Sequence, residues 1–382
     1  MLQLSAEDNL RLNVLLSQEL YAVRIDESKM TVFALTAKGE AKVPLNPTGK
    51  DEAYIKEVKA LFSTHVMGSP GGYPVFLKRW TRMGQARDES LAQLLLLGEP
   101  EAVVAAVHAQ GLTDELAARA WWAMPTADNA RRMLEKQAVV EGETGKLLAE
   151  FLIEFLPFEE DQRDMIESVR LVLQPGLISE QEKLGLWSKT KSKKSFYVGF
   201  LLTLADDLPM EADAHAAHEA IRDSLAALIE SGNPYAIMLE KTLSAKGQAF
   251  IKTCEEALKK PNNQDVVVSL LEAISGYYAS IVPDSFTHED IGTICAEAED
   301  LCCSDNTAIC EVLSALEGSP AIDAGIDADW AKKYLSAMTV LACLSVKLVN
   351  PIFARTDAIG TVMRKKIKPI SDPVFEQLAI LR

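Results

Sequence analysis

The chain has 382 residues, which is enough for two or three domains whose cores need neither disulfides nor a structural metal. Hydrophobic residues make up 48% and charged residues 25%, which excludes a disordered, collagen-like or disulfide-scaffold chain. The formal net charge of −16 is uneven: residues 1–200 carry 24 Lys and Arg against 28 Asp and Glu, residues 201–350 carry 9 against 24, and residues 351–382 carry 6 against 3. Such an acidic middle-to-late segment repels nucleic acid and anionic membranes, so neither is an expected partner.

The first sixteen residues lack a basic leader, a continuous apolar run and a small-residue cleavage site, which predicts a cytoplasmic chain. Ser5, followed by Glu7 and Asp8 and then by Leu10, Leu12, Leu15 and Leu16, predicts a first helix over 5–17. The period then changes to two. Tyr21, Val23 and Ile25, then Met30, Val32 and Ala34, then Ala41, Val43 and Leu45 predict a three-stranded meander, with Pro44 confining the third run to an edge. That sheet needs cover, which the first helix and a helix over 51–67 supply.

After the Gly- and Pro-rich loop 68–74 the spacing is helical almost to the end, with Thr113, Thr126 and Ser179 as helix N-caps. The fold class is therefore mainly α: a HEAT-like or irregular helical array with a small N-terminal α/β module. Three segments are expected: an α+β module over 1–67, a helical array over 68–195 and an acidic helical domain over 196–382. In the last segment helices are expected over 213–231, 234–258, 263–281, 287–303, 307–316, 327–349 and 351–367. The most apolar stretch, 337–349, is shorter than the about 20 residues of a bilayer span and carries Lys347, so it reads as a buried helix.

No constellation of residues identifies a reaction. Loop 68–74 lacks the Lys and Ser or Thr of a phosphate-binding loop, and the run 142–146 lacks the first glycine and the metal-binding hydroxyl, so no cofactor is expected. His215 and His218 have a spacing that can present two imidazoles to zinc, but a polar helix start explains them without a metal. Trp80 among Lys78, Arg79 and Arg82 reads either as a contact point for an acidic or aromatic partner or as a basic helix face whose stems lie along the surface. Two further basic runs, Lys189 to Lys194 and Arg364 to Lys368, read as solvated loops or as contacts for an acidic partner.

All six cysteines fall in the last third of the chain. Cys295, Cys302 and Cys303 recur at helical spacing and are expected on one face. They read as core, beside Ile291, Ile294, Ala298 and Leu301, or as a persulfide-carrying pair at Cys302 and Cys303 with one thiol resolving the other.

Seven runs carry a family resemblance: residues 4–16 (LSAEDNLRLNVLL), 24–32 (RIDESKMTV), 65–75 (HVMGSPGGYPV), 79–91 (RWTRMGQARDESL), 94–104 (LLLLGEPEAVV), 119–125 (RAWWAMP) and 167–178 (ESVRLVLQPGLI). The chain resembles the DsrS proteins, which are encoded with the reverse dissimilatory sulfite reductase system of sulfur-oxidising bacteria. The resemblance covers the first half of the chain and implies a cytoplasmic accessory protein of sulfur oxidation without a catalytic residue to carry over. The expected function is thus partner binding beside that system, with Lys78, Arg79, Trp80 and Arg82 as the contact. The alternative is thiol-based sulfur carriage at Cys302 or Cys303.

Overall fold

The computed structural model describes residues 4–75, 88–283, 290–304, 306–317 and 326–382, without the side chains of 88–90. It is mainly α-helical with one small three-stranded sheet near the N-terminus, as the periodicity requires. The chain divides into two compact units, Met1–Pro157 with Gln174–Ile178, and Phe158–Leu173 with Ser179–Arg382. The expected first segment lies in the first unit and the expected third segment in the second.

In the first unit, helix α1 (Ala6–Leu16) starts at Ser5, whose hydroxyl accepts from the Asp8 amide at 3.1 Å. Strands β1 (Leu20–Asp26), β2 (Thr31–Thr36) and β3 (Gly39–Pro44) pair antiparallel in sequence order, with Val23 opposite Ala34 and Val32 opposite Val43. These four share one face. They pack against Leu12 and Leu15 of α1 and against Tyr54, Val58 and Phe62 of α2 (Asp51–Met67), so the two helices cover the sheet as expected. Pro44 stands at the end of the outer strand β3, where its missing amide costs no central ladder bond. The opposite face meets the helix Asp114–Ala123: Arg24 lies over the rings of Phe33 and Trp122, and the Trp122 indole donates to Glu40 at 3.1 Å. Thr113, Thr126 and Ser179 cap their helices as the sequence predicts. The residues that came near to a phosphate loop instead begin the helix Glu143–Phe155, where Asp114 accepts from the Thr144 amide at 3.1 Å.

The second unit is built on one large core that includes Val198, Leu239, Phe250, Leu270, Leu335 and Leu378. Several expected helices have other bounds here. The run 234–258 is two helices, Pro234–Leu243 and Ala245–Lys259, because Ser244 turns extended and its hydroxyl caps the second helix through the Gly247 amide at 3.2 Å. A Cβ on Gly247 would come within 2.2 Å of the Lys241 carbonyl, so only glycine lets the chain turn this tightly. The run 213–231 becomes the short helices His218–Ser224 and Ala226–Glu230, with His215 ahead of them in a turn. The run 327–349 is an α-helix only over Ala328–Ala342, followed by a 3-10 turn at Val346–Leu348. Its apolar remainder stays buried at Leu344, Leu348 and Val349, so the hydrophobic run reports burial and not helix length. The last helix, Gly360–Ile380, continues through Pro369 and Pro373. Met363, Ile367, Ile370, Val374 and Leu378 keep a helical stripe in the core across both prolines, and that burial offsets the backbone bonds the prolines remove.

Candidate functional site

A recess of about 720 Å³ in the first unit lies between α2, the stretch that follows it and the start of the helix Pro100–His108. Lys56, Lys59, Pro70, Tyr73, Glu99 and Glu101 are among its walls. The loop is held at both ends of its turn. Buried Ser63 donates to the Ser69 carbonyl at 2.8 Å and accepts from the Gly72 amide at 2.9 Å, while the Glu99 carboxylate accepts from the Tyr73 amide at 2.9 Å. Gly72 has φ +61°, and a Cβ there would stand 1.9 Å from Glu99 Oε1, so glycine is needed both for the turn and for the carboxylate's approach. The result is a lip fixed in place and a basin of mixed charge. Lys59 is engaged by Glu27 at 2.7 Å. Among its described lining residues, Lys56, Lys59, Glu99 and Glu101 supply charged groups of both signs beside Tyr73 and Pro74. The sequence shows 68–74 only as a Gly- and Pro-rich loop, whereas residues 72–75 are helical, and it gives no sign of Ser63 or Glu99; the Gly71-Gly72 pair followed by Tyr73-Pro74 was the available signal of a constrained turn.

The expected contact residues Lys78, Arg79, Trp80 and Arg82 lie outside the described residues, a few positions after this lip in sequence.

A second recess, about 330 Å³, belongs to the second unit and is walled by Cys302, Cys303, Lys332, Lys333, Ser336 and Gln377 among others. The helix Ile291–Cys303 turns Cys302 into the core and leaves Cys303 exposed, so the cysteines expected on one face are divided between two environments. Burial pushes the Cys302 thiol up to about 12, its neighbour Cys303 adds to the rise, and the Lys332 charge pulls against both. Cys343 is likewise raised by burial, to about 11. A thiol held neutral this firmly is a poor nucleophile at pH 7. Exposed Cys303 is thus the better placed of the pair to react.

His215 and His218 do not converge on a common point. His215 Nδ1 accepts from the Ala217 amide and its Nε2 meets the Tyr334 hydroxyl, both at 3.1 Å, whereas His218 Nε2 meets Glu240 at 2.9 Å. Burial lowers the His215 pKa below its ordinary value. Among the described residues, no group of three or more His, Cys, Asp or Glu is arranged to hold a metal, and no helix is long and apolar enough to cross a membrane. No protein-family model, curated protein or solved structure matches the chain.

Proposed function

We propose that this chain is a non-enzymatic, cytoplasmic accessory protein of dissimilatory sulfur oxidation that acts by binding a protein of that system. The recess of the first unit is its seat and Lys78, Arg79, Trp80 and Arg82 are further contacts. One observation carries the reading: two of the runs that resemble the DsrS proteins, 65–75 and 94–104, separated by residues 76–93, wall the same recess through Pro70 to Pro74 and through Glu99 and Glu101. A preformed lip of this kind lowers the ordering cost of seating a partner segment. Affinity capture of the tagged chain from cells oxidising sulfide or thiosulfate, with cross-linking, tests it. Recovery of sulfite-reductase or sulfur-relay proteins, lost with Glu99→Lys and with reversal of Lys78, Arg79 and Arg82, is the expected result. Equal recovery by the wild-type and variant proteins, or recovery of no such protein, would overturn the reading.

A second reading, sulfur carriage, is favoured by the exposure of Cys303 beside Lys332 and Lys333. In that chemistry the Cys303 thiolate attacks the outer sulfur of a donor persulfide. A Cys303 sulfur–sulfur bond forms, the donor bond breaks, and the donor leaves as a thiolate. The lysines would hold the anionic donor. Mass spectrometry after incubation with a persulfide donor should show one added sulfur on the wild type and on Cys302→Ala but none on Cys303→Ala. Loading that survives Cys303→Ala ends this reading.

A further inference from the structure

In the second unit, basic residues from three distant parts of the sequence meet at one end of the helix Ala245–Lys259. That helix packs against both Lys194–Thr203 and Gly360–Ile380. Just beyond its last turn, the Pro261 carbonyl accepts from Arg364 at 3.3 Å and the Asn262 carbonyl accepts from the Gly360 amide at 2.9 Å, which fixes the start of the last helix beside Lys259 and Lys260. On the other side, Lys194 lies close enough to Lys259 and Lys260 for their charges to oppose its own, while Glu256 offsets part of the repulsion. Lys189, Lys191, Lys259, Lys260, Lys365 and Lys366 are exposed. Of the carboxylates here, Glu256 pairs with Lys259 at 2.5 Å. Lys194 and Arg364, one from each of the two basic runs that the sequence shows as separate, therefore both stand beside Lys259 and Lys260, in a chain whose residues 201–350 hold 24 carboxylates against 9 cations.

We infer that this face is a binding surface for a short acidic segment of a partner protein. The size and sign of the surroundings select that occupant. A nucleic-acid duplex or an anionic membrane presents negative charge over distances far beyond a Debye length of about 8 Å, and so meets the acidic remainder of the unit as well as the lysines. Only a compact run of carboxylates can neutralise the lysines without paying that repulsion. The aromatic rings beneath the face are closed to stacking, because Lys193 and Lys194 lie over Phe196 and Tyr197, whose rings are buried. Ile359 and Val362, exposed at the start of the last helix, offer apolar contacts at its edge. This inference does not depend on the recess of the first unit.

The test is fluorescence anisotropy with the full chain and a labelled peptide of alternating glutamate and alanine, about four residues long, which spans ~14 Å when extended. Lys260→Glu and Lys365→Glu, both at exposed positions, are each expected to weaken binding several-fold and together about tenfold, with a flatter salt dependence. Lys246→Glu changes the net charge as much as either single variant. It sits about 20 Å away along the same helix and should shift the affinity no more than about twofold. The Glu99→Lys protein, which tests the recess, should bind the peptide as the wild type does. The inference is overturned if the peptide does not bind, if Lys246→Glu weakens it as much as Lys260→Glu, or if duplex DNA or phosphatidylserine vesicles bind more tightly through the same lysines.

Discussion

A single glycine accounts for how the lip of the first recess keeps its shape. Gly72 sits where a left-handed turn and the Glu99 carboxylate coincide, so Gly72→Ala should lower stability by about 1–3 kcal/mol in urea unfolding. An unchanged midpoint would mean that the lip is not held as described. Asp8 is a quieter case: it is fully buried, and its Oδ2 accepts from the Tyr54 hydroxyl at 2.6 Å and the Asn46 amide at 2.7 Å. In the sequence it reads only as an acid in a first helical turn, because the partners that bury it lie 38 and 46 residues away. His215 adds a pH dependence. Its Nδ1 accepts a backbone amide, so the neutral ring carries its proton on Nε2 towards Tyr334, with Trp330 stacked on that tyrosine at 3.8 Å. Burial lowers its folded pKa, so below about pH 6.5 the unfolded chain takes up a proton that the folded one resists, and stability falls as the pH falls. Denaturant midpoints between pH 7.5 and 5 should drop less for His215→Gln than for the wild type; equal slopes would remove His215 as the cause.

At the scale of elements, what was legible depended on whether the signal was local. The meander, α1, α2 and three N-caps follow from alternation, capping residues and turn residues, all read within a few positions. In the second unit the bounds of Thr307–Glu317 were legible, but those of several other helices were not, because burial there decides where apolar residues sit and leaves the helical period intact across a break. Ser244 shows this: the apolar stripe runs on, while the cap and Gly247 turn the chain. Ser244→Ala should therefore cost about 1 kcal/mol of stability, measured by thermal unfolding, and a smaller loss than at most exposed serines would contradict the cap. In the last helix the reverse holds: a helix was expected to end at 367, but the buried stripe carries it on through Pro369 and Pro373. Leu378→Ala, beyond both prolines, should cost about 2–5 kcal/mol if that turn is anchored as described.

For the whole molecule, the same division applies to function. The thiols were legible as residues but not as environments: only the structure separates buried Cys302 from exposed Cys303. A thiol reagent at neutral pH should label Cys303 in the folded protein and reach Cys302 only on unfolding, and rapid labelling of both would contradict that separation. The recess was illegible because its walls come from loop 68–74 and from Glu99 and Glu101, segments joined only in space. Binding of a partner at that lip is the central claim, and amide hydrogen exchange measured with and without the partner recovered by affinity capture tests it most directly. Slowed exchange at Gly72, Tyr73, Glu99 and Glu101 on complex formation is the predicted result. Unchanged exchange at those amides, with the partner demonstrably bound, would contradict it.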